Sequence, residues 1–211
     1  MSRAALLVLV ILALAGCADL RGPGADARVE VASWSLVGGH LVGEIVDRGP
    51  DNARALRVAA DFYDAHGARL ASGLAPAWRQ VLQENETSPF DLPAPEGAVN
   101  ATVRALGEAT RAPAFERQHL EPRDVRTTQA VGSDTVAFQG TAYNAGDITI
   151  VGVEAQVTFR DEAGRVVGVA RATPDAPALR AGEGSLFHGN ATLAAPFLRY
   201  DVVVVTTGAA S

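Results

Sequence analysis

Residues 56–67 read Leu-Arg-Val-Ala-Ala-Asp-Phe-Tyr-Asp-Ala-His-Gly, and ninety-seven positions later residues 153–164 read Val-Glu-Ala-Gln-Val-Thr-Phe-Arg-Asp-Glu-Ala-Gly. In each stretch every second residue is apolar: Leu56, Val58, Ala60 and Phe62, then Val153, Ala155, Val157 and Phe159. A period of two sends successive side chains to opposite faces of a strand, so each stretch reads as a β-strand with one buried face. Both alternations run into Asp-x-x-Gly. Asp64 and Asp161 can bond their own backbone there, and Gly67 and Gly164 can take the positive φ that closes a hairpin.

The match extends outward without a gap. Gly43 falls on Gly140, Gly49 on Gly146 and Ala75 on Ala172; further along, Leu82 falls on Leu179, Glu86 on Glu183, Ser88 on Ser185 and Phe90 on Phe187. A repeat this long is no solenoid unit and implies two tandem domains. Further strands are expected at 28–36, 41–46, 68–74, 87–92 and 99–105, with counterparts at 126–131, 136–143, 165–171, 185–192 and 198–205. Short strands at this spacing, broken by Gly, Asp and Asn, predict an all-β chain of two tandem immunoglobulin-like Greek-key β-sandwiches. The expected boundaries are 28–106 and 123–207, with 107–122 as a linker that has room for a helical turn around Phe115 and Leu120. Trp34, on the first strand opposite Val131 of the second unit, reads as core.

At these residues the chain resembles a known family. Tyr63-Asp64 with Gly67, the run Leu82-Gln83-Glu84-Asn85-Glu86 and Phe90 carry the resemblance in the first unit. Asp161, Gly164, Leu179-Arg180-Ala181-Gly182-Glu183 and Phe187 carry it in the second. They look like the FxLYD domain of secreted and lipid-anchored prokaryotic proteins. The pattern departs where Ala60 holds the phenylalanine position and Phe62 the leucine position, and where the second unit has Phe159-Arg160-Asp161. Over nearly all of 28–206 the resemblance implies an immunoglobulin-like extracellular module, and it brings no catalytic residue with it.

The N-terminus reads as an address. Arg3 precedes an unbroken apolar run from Ala4 to Ala15. That is shorter than the roughly twenty residues a membrane-spanning helix needs, and it fits the apolar core of a signal peptide. Leu14-Ala15-Gly16-Cys17 resembles the lipobox of prokaryotic lipoproteins, which implies cleavage before Cys17 and diacylation of its sulfur. Residues 1–16 are then a signal peptide and 17–27 a lipidated tether. Cys17 is the only cysteine of the 211 residues, so no disulfide framework and no cysteine-based metal site is available. All 18 basic residues are arginine, and the net charge of −6 gives no basic footprint for nucleic acid.

No set of residues points to catalysis. His40, His66, His119 and His188 are scattered without metal-ligand spacing, and neither a G-x-S-x-G elbow nor a phosphate-cradling glycine motif occurs. Asp47, Asp51 and Asn52 around Gly49-Pro50, with Asn144 and Asp147 at the equivalent turn, offer oxygens for calcium but read as turn-forming residues. Trp78 and Arg79 lie in an expected loop with no counterpart in the second unit, which makes them candidate partner contacts. Asn85, Asn100 and Asn190 begin N-x-T sequons, glycosylation candidates in an archaeal host. The expected protein is non-catalytic and needs no cofactor. It is held to the membrane through lipid on Cys17 and acts as a binding or spacer module for an envelope protein or polymer. A ligand-binding accessory lipoprotein for small-molecule transport is the alternative, and should show an aromatic-lined cleft between the sandwiches. An envelope enzyme is the third, and should show a buried histidine or carboxylate pair in a concave site.

Overall fold

The computed structural model describes residues 28–110 and 119–206. They form strands and turns, with no helix among the described residues. The first half contains β1 (Val29–Val37), β2 (His40–Asp47), β3 (Asn52–Tyr63), β4 (Arg69–Pro76), β5 (Val81–Leu82), β6 (Thr87–Pro93) and β7 (Asn100–Thr110). The second contains β8 (Leu120–Gln129), β9 (Thr135–Asn144), β10 (Ile150–Val151), β11 (Val153–Arg160), β12 (Val166–Ala172), β13 (Ala178–Leu179), β14 (Gly184–Thr192) and β15 (Arg199–Thr206). Strand order is β1-β2-β6 against β4-β3-β7 in the first half, and β8-β9-β14 against β12-β11-β15 in the second. All pairings are antiparallel. This is the Greek-key sandwich expected from the alternation.

Two separate cores result. One gathers Leu41, Ile45, Leu56, Val58, Phe62 and Phe90, the other Val136, Phe138, Val157, Phe159, Leu179 and Phe187. Phe62, Phe90, Phe159 and Phe187 are fully buried, and each such side chain contributes roughly 1.5–3 kcal/mol by leaving water. With no disulfide, these cores hold each sandwich.

The positions that match across the repeat do the same jobs twice. Gly43 pairs with Phe90 and Gly140 with Phe187, and each ring lies over its glycine. A Cβ would fall 2.5 Å from Phe90 at Gly43 and 2.6 Å from Phe187 at Gly140, closer than carbon atoms approach. Ser88 Oγ accepts the Arg79 N–H at 2.8 Å, and Ser185 Oγ accepts the Ala176 N–H at 2.9 Å. Glu86 closes its turn by accepting the Gln83 N–H at 3.0 Å, as Glu183 does with Arg180 at 3.0 Å. In the hairpins, Asp64 Oδ1 accepts the His66 and Ala68 N–H groups and Asp161 Oδ1 that of Arg165. Gly67 and Gly164 take φ of +78° and +79°.

One matched pair differs in residue but not in conformation. Ala55 and Gly152 both take the left-handed region, at φ +53° and +62°. Gly152 divides β10 from β11, and Ala55 sits at the register shift of β3. A side chain costs roughly 1–2 kcal/mol in that region, partly offset by the flexibility of an unfolded glycine. Gly152→Ala is therefore expected to lower stability by about 1 kcal/mol, and Ala55→Gly to hold or raise it, in thermal unfolding of the two variants.

Three strand expectations need correction. β7 continues through 107–110 and β8 begins at Leu120, so the segment between strands is shorter than 107–122; 111–118 and the expected helical turn's Phe115 lie outside the described residues. β8 also ends at Gln129, and Val131 is fully exposed in the following turn. The residue beside Gly140, where Trp34 lies beside Gly43, is Val125. A bulge at 124–125, with Asp124 at φ +51°, and a longer turn than Gly38-Gly39 shift β8 out of the gapless alignment.

Candidate functional site

β2 is buried on both faces. Leu41 and Ile45 enter the first core, while Val42, Glu44 and Val46, which alternate with them, are at most 4% exposed. β11 behaves alike: beyond its core residues, Gln156 and Thr158 on the opposite face are buried. The outer face of the first sandwich's β1-β2-β6 sheet packs there against the second sandwich, where β12 lies along β1, β2 and β6. The equivalent face of β9 stays open, with Ala137 and Gln139 exposed. The joint is thus head-to-tail, using unlike faces of two like units.

Polar groups fix its register. Arg160 Nη2 donates to Glu44 Oε2 at 2.6 Å, and the two side chains are 14% and 5% exposed. Its Nε donates to Asp201 Oδ2 at 2.7 Å. Burial works against the guanidinium's charge, but the bonds to Asp201 and Glu44 outweigh it and raise the Arg160 pKa above the ordinary arginine value. Two serines two residues apart on β1 read the free backbone of edge strand β12. Ser35 Oγ donates to the Val166 carbonyl at 2.6 Å, and the Val166 N–H donates to Ser33 Oγ at 2.9 Å. Val166 is fully buried. An edge strand exposes unpaired N–H and C=O groups, and here both groups of one residue are satisfied by the other sandwich.

The expected contact residues are drawn into the same region. The Arg171 guanidinium lies over the Trp78 ring, 4.6 Å from its centroid. Arg79 donates to Glu86 Oε2 at 2.9 Å and to the Thr87 carbonyl at 3.0 Å. Both side chains therefore have partners within the chain. The cavity between the sandwiches holds about 90 Å³, and its lining includes Glu44, Arg79, Gln156, Thr158, Arg160 and Asp201 beside Pro89 and Val203. That is room for a few waters, not for a drug-sized ligand. An open groove of about 610 Å³ lies elsewhere, along Tyr63, Asp64, Gly67, Val99, Asn100 and Thr102.

The remaining candidates are dispersed. His40 Nδ1 lies 2.6 Å from Asp91 Oδ1, and among the described residues no three His, Cys, Asp or Glu side chains gather as a metal site. Asp47 and Asn144 turn inward and are fully buried, each accepting the N–H of the glycine two residues on. Asn85, Asn100 and Asn190 are exposed. Cys17 lies outside the described residues.

Sequence reasoning did not find the joint, yet a signal was present. Where β2 carries Val42, Glu44 and Val46 on its outer face, the repeat carries Gln139, Thr141 and Tyr143. A strand apolar on both faces is covered on both faces. No family model matches the chain, and no curated protein matches it. Among solved structures it is similar to red sea bream transglutaminase, at 9% identity and a TM-score of 0.26, over 87% of this chain and 29% of that one. The chain thus spans under a third of that protein's length, and a likeness this weak carries no argument about activity.

Proposed function

We propose that this chain is a lipid-anchored protein of the cell envelope that works without catalysis, as a binding and spacer module for another envelope component. The observation that carries the reading is the closed joint: two sandwiches held at one angle by Glu44–Arg160 and the Ser33–Val166–Ser35 bonds. A rigid pair of sandwiches sets distance and orientation, which a flexible string of domains does not. The small cavity between the units, with no aromatic side chain in its lining, favours this over the transport alternative, whose ligand would need an aromatic-lined cleft. The resemblance to FxLYD domains at Tyr63-Asp64-x-x-Gly67 and the lipobox ending in Cys17 support the envelope setting.

The anchor is tested by Cys17→Ala. The native protein is expected to partition into detergent, and the variant to stay unprocessed or be released. Equal detergent partitioning of a mature form lacking Cys17 would contradict the anchor. In-cell crosslinking on intact membranes then tests the partner: a discrete envelope protein or polymer adduct is expected, and turnover of a small molecule by the purified chain would overturn the non-catalytic reading.

A further inference from the structure

Asp47 and Asn144 occupy the same frame. The Asp47 N–H donates to the Glu86 carbonyl at 3.0 Å and that of Asn144 to the Glu183 carbonyl at 2.9 Å. Their carbonyls accept the Asn85 and Gly182 N–H groups at 2.8 and 2.9 Å. Each Oδ1 accepts a glycine N–H at 2.9 Å, from Gly49 and Gly146. They differ in the second side-chain atom. Asn144 Nδ2 donates to the Ile148 carbonyl at 2.7 Å and the Leu179 carbonyl at 3.0 Å, whereas the buried Asp47 Oδ2 has no partner. By position in the repeat the corresponding carbonyls are those of Asp51 and Leu82, while the Ala53 N–H also acts on the Asp47 carboxyl. An ionised carboxylate only accepts, so it cannot meet such a carbonyl; a protonated one donates.

The groups that act most strongly on Asp47 include no cation. Glu84 and Asp51 are the acidic groups acting on Asp47. Arg48 is turned to Asn85 Oδ1 at 3.0 Å and toward Glu30 at 4.0 Å, and Arg79 is engaged by Glu86 and the Thr87 carbonyl. Arg28 meets Gly49 through its backbone N and Cβ. Burial pushes the Asp47 pKa up, the N–H groups of Gly49 and Ala53 pull against it, and the charges of Glu84 and Asp51 add to the rise.

We propose that Asp47 folds as a protonated carboxyl, its Oδ2–H donating to the main chain as the Asn144 amide does, so that its own contribution to the first sandwich is greater in acid than at neutral pH. A carboxyl that binds its proton more tightly folded than unfolded makes folding take up a proton. Its contribution is complete below the ordinary aspartate value, falls as pH rises above it, and levels off beyond the raised folded value. Asp61 and Asp161 carry the opposite sign. Hydrogen bonds lower their pKa, from Ser72 first for Asp61 and from the Arg165 N–H first for Asp161, and their contribution is lost as pH falls. Comparing wild type with Asp47→Asn cancels those two.

Both tryptophans, Trp34 and Trp78, belong to the first sandwich, so their fluorescence follows its unfolding. Equilibrium unfolding of the full chain is measured from about pH 4 to about pH 8 for wild type and Asp47→Asn. The two should be close in stability at the acid end. Asp47→Asn should gain toward neutral pH, by about tenfold in the folding constant for each unit by which the carboxyl is raised. A gap independent of pH, or a wild type that gains on Asp47→Asn as pH rises, overturns the proposal. So does calcium that raises the midpoint of wild type and not of Asp47→Asn, since that makes Asp47 an ionised ligand. The converse variant Asn144→Asp should bring the same loss toward neutral pH into the second sandwich, read by amide exchange in β9 and β14; exchange with no added pH dependence counts against the proposal.

Discussion

Arg160→Met is expected to release the two sandwiches from one another while each stays folded. The substitution leaves the Glu44 carboxylate, 5% exposed, without its partner. Breaking a buried pair costs roughly 3–5 kcal/mol, because the surviving charge stays out of water. Asp201, the other partner, is 57% exposed and returns to solvent at little cost. The joint therefore loses its buried ion pair, and the Ser33–Val166–Ser35 bonds, the Arg171–Trp78 contact and the apolar packing of Val42 and Val46 are left to resist. Small-angle scattering should report a broader distribution of lengths, and amide exchange should quicken at Val42–Val46 and Val166 with the two cores still protected. The double variant Glu44→Leu with Arg160→Met should recover much of the loss, since an apolar pair of similar volume replaces a buried ion pair with little penalty. Unchanged scattering and exchange in Arg160→Met would show that the ion pair does not hold the joint, and would remove the observation on which the spacer reading rests.

Phe187→Ala is expected to have an effect of similar size inside the second core. The ring is fully buried and covers Gly140 across the sheet, and truncating such a residue costs about 3–5 kcal/mol. Gly140→Ala should cost about 1–3 kcal/mol by the opposite route, since its Cβ would lie 2.6 Å from Phe187 and 3.0 Å from Val125. If the two residues form one packing unit, Gly140→Ala with Phe187→Leu should cost less than the separate losses together. Urea unfolding of the three variants decides this, and strict additivity would refute the pairing. Gly43 predicts a different result in the first sandwich. A Cβ there meets the Ser33 carbonyl at 2.5 Å as well as the Phe90 ring, and main chain cannot be trimmed to make room. Gly43→Ala should therefore resist rescue from Phe90.

What could be read in advance follows the range of the forces involved. Alternation at 56–63 and 153–160, the Asp-x-x-Gly hairpins and the matched Gly, Glu, Ser and Phe positions report local or cross-strand constraints. Each is written in residue type, and each reappears in the strand pairings. The register of β8 was not legible, because a bulge and a longer turn displace it while its residues remain compatible with either placement. The joint was harder still. Arg160 and Glu44 lie 116 positions apart, and no motif links them. Only the contrast between Val42, Glu44, Val46 and their counterparts on β9 pointed to a covered face. Trp78, singled out as lacking a counterpart, was unusual for a related reason: it lies beneath Arg171, on the side of the first unit that the second unit approaches.

Because the joint mates the β2 face of one unit with the β11 face of the next, it has a polarity, as bricks with a stud and a socket do. Mating of unlike faces need not close on itself, and where it stays open it sets no limit to the number of units in a row. The second unit does not repeat the mating face: β9 presents Gln139, Thr141 and Tyr143 where β2 carries Val42, Glu44 and Val46. A longer row would therefore call for repainting the β8–β9 face, with counterparts for Ser33 and Ser35 as well as for the three β2 side chains.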